Sequence, residues 1–195
     1  MNRLVVIQHL TLDGVMQAPG AADEDPRDGF GHGGWAQPGD DPVMANVMGE
    51  HMGTPWSLLL GRRTYERFAA FWPTQEGNPF AEALAEVQKY VASRSLAEPL
   101  PWRNSTLLKG DAEDAVADLK DRLDHNLVVF GSGDLLRTLM ARGLVDEYVL
   151  QIHPLVLGEG RRLFPEGAPG ASLRLTRSIT TGTGVVIAVY RPDGA

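Results

Sequence analysis

Three short segments of this sequence combine glycine, arginine and hydroxyl residues in patterns that suit phosphate. Leu60-Gly61-Arg62-Arg63-Thr64 follows an apolar run and opens a helical pattern. Its glycine permits a tight turn, amides at a helix N-terminus attract anions, and arginine adds a forked donor. The helix dipole disfavours arginine at that end, so two in succession point to an anion. A plain turn with solvated arginines is the alternative. Ser93-Arg94-Ser95 places hydroxyls on both sides of an arginine just after another apolar run. It suits a phosphate monoester, or is simply a polar turn. Phe130-Gly131-Ser132-Gly133 follows Leu-Val-Val, and its small residues let backbone amides approach a pyrophosphate closely. It is not a complete dinucleotide fingerprint: position 136 is Leu, and no acidic residue has the usual ribose-binding spacing. A tight strand-to-helix turn is its alternative.

The elements that would position these segments follow from periodicity. Short apolar, β-branched runs predict strands at 4–10, 57–60, 89–92, 105–108, 127–130, 146–153, 173–179 and 184–191. Apolar residues at helical spacing predict helices at 42–52, 62–70, 79–87, 112–123 and 134–142. Strands alternate with helices and then close in a run of strands. That order predicts an α/β fold with a mainly parallel sheet, flanking helices and a C-terminal antiparallel hairpin. No repeat or domain boundary is visible, so one domain over 1–195 is expected. Each phosphate-friendly segment then falls at a strand C-terminus, where open α/β sheets bind ligands. Two basic sites and one glycine-rich site match NADP(H), with its extra phosphate, better than NAD.

Composition narrows the function. The chain has 195 residues and a formal charge of −7, which argues against bulk nucleic-acid binding. It contains no cysteine, which excludes disulfides, cysteine-ligated metal and thiol nucleophiles. The short apolar N-terminal run is no signal peptide, and no run reaches the length of a membrane span. A cytoplasmic location is therefore expected. No nucleophile elbow, P-loop lysine motif or EF-hand spacing occurs.

Other residues carry paired readings. Asp13, in Leu-Asp-Gly, orients substrate or relays a proton, or closes an Asx-turn. The segment 13–42 is rich in Gly, Pro and Asp and long for a compact domain, which marks a functional loop. Within it, Trp35 stacks on a flat substrate or cofactor ring, or anchors the loop on the core. His32 donates a proton, or is a surface histidine. His153 reaches the ligand, or is a satisfied structural histidine. Glu159, between two glycines, is a site carboxylate or a turn residue. Met44, Met48 and Met52 recur every fourth position and form a core-facing stripe.

Taken in order, these motifs resemble the dihydrofolate-reductase-like superfamily. They are most similar to the branch containing the reductase domain of bifunctional riboflavin-biosynthesis proteins. The resemblance covers nearly the whole chain. It rests on Thr11-Leu12-Asp13-Gly14, Gly61-Arg62-Arg63-Thr64-Tyr65, Ser93-Arg94, Gly131-Ser132-Gly133, Asp146-Glu147, Pro154 through Gly160, and Leu163-Phe164. It implies a three-layer fold and an NADPH-dependent reductase acting on a small, heterocyclic metabolite. Arg62 and Thr64 would contact cofactor phosphates, Ser93 and Arg94 the adenosine 2′-phosphate, and Gly131, Ser132 and Gly133 the pyrophosphate. Asp13, Trp35 and Glu159 would belong to the substrate side, with Asp13 the catalytic candidate. The resemblance also implies a homodimer. The deaminase domain of the bifunctional proteins has no counterpart here. A phosphoribosyl substrate would need a second anion pocket near the long loop, where Arg27 is the basic residue the sequence offers. Glu50 is a weak match for a pterin-binding carboxylate.

Overall fold

β1 (Leu4–Thr11) is buried at every position except His9, as expected for an apolar strand covered on both faces. Nearly continuous burial recurs in the computed structural model at β2 (Trp56–Gly61), β5 (Asn126–Phe130) and β6 (Glu147–His153). The structure describes residues 2–168 and 170–193. These contain eight strands in a mixed, mostly parallel sheet, together with five α-helices. The α/β class and the closing antiparallel hairpin are as the order of elements predicts.

Two compact units organise the chain: Met1–Leu4 with Met52–Leu144, and Val5–His51 with Val145–Ala195. Each is discontinuous in sequence, and no long linker marks the crossings. The division is therefore invisible to a reading of composition.

In the first unit the strand order is β4 (Ser105–Leu108), β3 (Gln88–Ala92), β2, β5, all parallel. Gly61 pairs with Ala92, and Leu59 with Val129, so three strand C-termini lie level. The helices are α2 (Arg62–Phe71), α3 (Pro79–Glu86), α4 (Ala112–Arg122) and α5 (Gly133–Ala141). The core joins Leu58, Leu60, Tyr65, Leu84, Val91 and Trp102. Asn78 caps α3 by accepting from the amides of Phe80 and Ala81, and Pro79 suits the first turn. The other end of α3 is closed by Lys89. Its buried Nζ donates to the carbonyls of Leu84 and Val87, at 2.7 Å each, and lies 4.6 Å from the centroid of the Trp102 ring. Burial lowers its pKa to about 8.

In the second unit the order is β1, β6, β8 (Val186–Pro192), β7 (Leu173–Thr180). β1 and β6 are parallel, and β8 runs antiparallel to both of its neighbours. α1 (Pro42–Met52) buries Met44, Val47 and Met52, with Met48 and His51 partly buried on the same stripe. His51 donates through Nδ1 to Glu147 Oε1 at 2.6 Å, and Arg191 Nε donates to Glu147 Oε2 at 2.8 Å. The carboxylate of Glu147 is thus paired where it is fully buried, which its burial demands. Glu50 points outward and pairs with Arg177.

Candidate functional site

In the first unit the three sequence-predicted segments converge at one end of the sheet. β2 ends at Gly61 and β5 at Phe130, and the turns that follow interlock. The Gly61 amide donates to Ser132 Oγ at 2.9 Å, and the Ser132 hydroxyl donates to Thr64 Oγ1 at 3.0 Å. Gly131 has φ +62° and Ser132 has φ +62°, ψ +49°. A left-handed conformation at serine costs on the order of 1–2 kcal/mol. Here it turns the hydroxyl towards the neighbouring turn. Among the described residues, neither α2 nor α5 receives a side-chain N-cap hydrogen bond. Their first-turn amides are thus not occupied by a cap, which is the arrangement that takes up an anion.

The Ser93 turn stands beside them, because Gly61 pairs with Ala92. Ser93 Oγ accepts from the amides of Ser95 and Leu96, at 3.2 and 3.1 Å, which fixes this turn. Arg62 pairs with Glu66 at 3.1 Å, Arg63 with Asp134 at 3.6 Å and Arg94 with Asp111 at 2.6 Å. All of these side chains are 40% exposed or more. Such pairs contribute about 0–1 kcal/mol, so a phosphate competes with them readily. The donors are two uncapped helix starts, three hydroxyls and exposed guanidinium groups. That set fits a ligand with several phosphates.

In the second unit Asp13 follows β1 and is saturated. Thr11 Oγ1 donates to its Oδ1 at 2.6 Å, and so does the Leu157 amide at 3.2 Å. The Gly158 amide donates to Oδ2 at 2.9 Å, and Arg162 Nη2 lies 3.4 Å from that oxygen. The Thr11 hydroxyl, helped by the two amides, holds the Asp13 carboxyl at about 2. Asp13 is therefore ionised across the physiological range. Its geometry supports an orienting role and not that of a proton donor. It ties the turn after β1 to the 155–160 loop, and so stands next to Glu159. Glu159 Oε1 lies 3.2 Å from His32 Nε2 on the exposed side of that loop.

The long loop is packed. Phe30, Trp35 and Ala36 are buried together with Val15 and Ala18. Trp35 Nε1 donates to Gln17 O at 2.7 Å, and its ring meets His153 edge-on at 5.3 Å. With 9% of its surface exposed, Trp35 has the geometry of a loop anchor. His153 Nε2 lies 2.9 Å from His9 Nδ1. Burial, and then the neighbouring His153, lower the His9 pKa to about 3; burial also lowers that of His153, against an opposing pull from Asp40. A Cβ on Gly39 would lie 2.5 Å from His153 Nδ1, so the loop can cross there only as glycine.

Sequence reasoning did not single out His9. The signal was an ionisable residue inside an otherwise uncharged, buried strand. It also missed a run in the first unit. Ser57 Oγ lies 2.8 Å from His125 Nε2, and His125 Nδ1 lies 2.8 Å from Asp124 Oδ1. This has the connectivity of a hydrolytic triad, but Ser57 is 1% exposed, so no substrate carbonyl reaches it. The described residues contain no group of three potential metal ligands, and no helix long and apolar enough to cross a membrane.

Comparison with known proteins shows the family and the fold. Residues 4–187 match the family model of the RibD C-terminal domain. The Bacillus subtilis (strain 168) protein YyaP is 30% identical over 142 residues, spanning 71% of this chain and 74% of its own. A solved protein of Shewanella sp. PV-4, named for riboflavin biosynthesis, superposes with TM-score 0.68 and 21% identity, covering 98% of this chain and 99% of the other. Dihydrofolate reductase from Enterococcus faecalis, solved with NADP(H), superposes with TM-score 0.62 and 14% identity, covering 98% and 96%. The fold is dihydrofolate-reductase-like.

Proposed function

The chain belongs to the RibD C-terminal domain family, and from that premise we propose that it is an NADPH-dependent reductase acting on a small heterocyclic metabolite of pterin or aminopyrimidine type. The observation that carries this reading is the convergence of the Gly61, Ser93 and Gly131 turns at level strand ends. Family membership and fold support a reductase of the riboflavin-pathway or dihydrofolate-reductase type. The Enterococcus relative of the same fold was solved with NADP(H).

On this reading Arg62 and Thr64 hold cofactor phosphates, Ser93 and Arg94 hold the 2′-phosphate, and the 131–133 turn lines the pyrophosphate. NADPH supplies the hydride when bound. The chain supplies position, as is general for such enzymes. Asp13 fixes the 155–160 loop, and Trp35 fixes the loop across it. The proton for the accepting atom comes from water or from His32, whose side chain is 49% exposed beside Glu159. The reading includes a cytoplasmic homodimer.

The test is steady-state oxidation of NADPH, followed by its near-ultraviolet absorbance, against a panel of dihydropterins and aminopyrimidines. Turnover with any of them supports the reading. NADPH binding without turnover across the panel would favour a nucleotide-binding protein that is not an enzyme.

A further inference from the structure

We infer that the loops at the carboxyl ends of β1 and β6 select an unphosphorylated, uncharged or cationic ring, and that their arginines are loop braces and not phosphate ligands. The inference rests on the reductase reading and names its substrate class. Residues 12–41 and 154–168 carry nine carboxylates against three arginines, a net charge of −6. Arg161 and Arg162 join Arg27 in this region, and all three are committed. Arg27 grips Asp25 through two nitrogens, Nε at 2.6 Å and Nη2 at 2.5 Å. Arg161 Nη2 donates to Asp28 Oδ2 at 2.9 Å, and joins the long loop to the loop after β6. Arg162 Nε donates to the Asp13 carbonyl at 2.8 Å, and its Nη2 reaches the Asp13 carboxylate and the Gly158 carbonyl. Arg27 holds its carboxylate through two nitrogens, and Arg162 holds two backbone carbonyls besides a carboxylate, so a phosphate ester would have to displace several contacts at once from loops of net negative charge.

An apolar surface stands at the same strand ends. Leu12 and Val156 are 64% and 65% exposed, where most large apolar side chains are buried. Their backbones run close together, because the Leu12 amide donates to the Leu155 carbonyl at 2.9 Å. Two exposed aliphatic groups offer a face to a flat ring, and the net negative charge of the two loops disfavours an anion.

The chain has no cysteine, so a single introduced thiol reports the local field directly. Leu12→Cys, with Val156→Cys as a second variant, is reacted with a cationic and an anionic methanethiosulfonate, each rate normalised to that of a free thiol. The expected ratio favours the cationic reagent by about tenfold or more, the effect of a local potential of a few kT. Leu175→Cys, next to Arg174 and two residues before Arg177 on β7, should show no such preference. Equal rates at residues 12 and 156, or faster reaction of the anionic reagent, would overturn the inference. In the NADPH-saturated reductase assay, an aminopyrimidine riboside should exceed its 5′-phosphate about tenfold in kcat/KM, and the reverse ranking would also overturn it. Failure of the reductase reading itself would appear separately, as absence of NADPH binding by calorimetry, and would leave the thiol rates unaffected.

Discussion

His9 Nδ1 and His153 Nε2 share one hydrogen bond of 2.9 Å, across residues 144 positions apart. One ring donates and the other accepts, and protonating both rings would bring two cations together beside the Trp35 ring. The native His9 pKa of about 3 lies below its ordinary 6.5. Between those values the unfolded chain holds a proton that the native protein lacks, so stability rises with pH through this window. It is complete above about 6.5 and declines as the pH falls. One such group contributes up to about 1.4 kcal/mol per pH unit, or about 3–6 °C in Tm for a chain of this size. Melting wild type and His9→Gln between about pH 7 and 5 checks it: the wild type should lose more on acidification. Parallel curves would contradict this role.

Asp13 predicts a split between stability, cofactor and substrate. Asp13→Ala removes an acceptor of three hydrogen bonds and an ion pair, with a cost of about 2–3 kcal/mol. The loop it holds belongs to the second unit, so NADPH affinity should remain within about twofold, while kcat/KM falls tenfold or more, on the scale of lost substrate positioning. Calorimetry and initial rates separate the two. Because its native pKa of about 2 is below the ordinary 3.8, the stability due to Asp13 is present above 3.8 and lost as pH falls towards 2.

Ser132 predicts that hydroxyl and backbone can be separated. Ser132→Ala keeps the left-handed strain and loses the acceptor for the Gly61 amide. Ser132→Gly also loses that acceptor but relieves the strain. Both should weaken NADPH, and the alanine variant should melt lower, by the roughly 1 kcal/mol that a left-handed residue costs. Equal melting of the two would show that the strain is not borne at this position.

The placement of the three segments in the first unit was legible because it is local. Each phosphate-friendly segment is a strand end, marked by glycine at 61 and 131 and by Ser-Arg-Ser at 93–95, and parallel register brings neighbouring ends level without further information. The helix 42–52 and the closing hairpin were likewise carried by periodicity. Contacts between distant side chains were not legible. Glu147 finds His51 from 96 residues away, Ser57 finds His125 from 68, and His9 finds His153 from 144. No local pattern encodes such pairings. Trp35 and Asp13 had two readings each in the sequence, and only burial and hydrogen bonding separate them.

Glu147 predicts a large effect far from the strand-end loops. Its carboxylate is fully buried between His51 and Arg191. Glu147→Ala strands those partners and should cost about 3–5 kcal/mol, with Tm lowered by about 10 °C. NADPH affinity of the folded fraction should be unchanged.

On the proposed function, the three converging turns bind a phosphate-rich nicotinamide cofactor. Thermal shift with NADPH and NADH in parallel tests it most directly. A ligand at 100 times its Kd stabilises by about 2.7 kcal/mol, which is a shift of about 5–10 °C for this chain. A shift of that size is expected with NADPH, a much smaller one with NADH, and a narrower gap in Arg94→Ala. No shift with either nucleotide would contradict it.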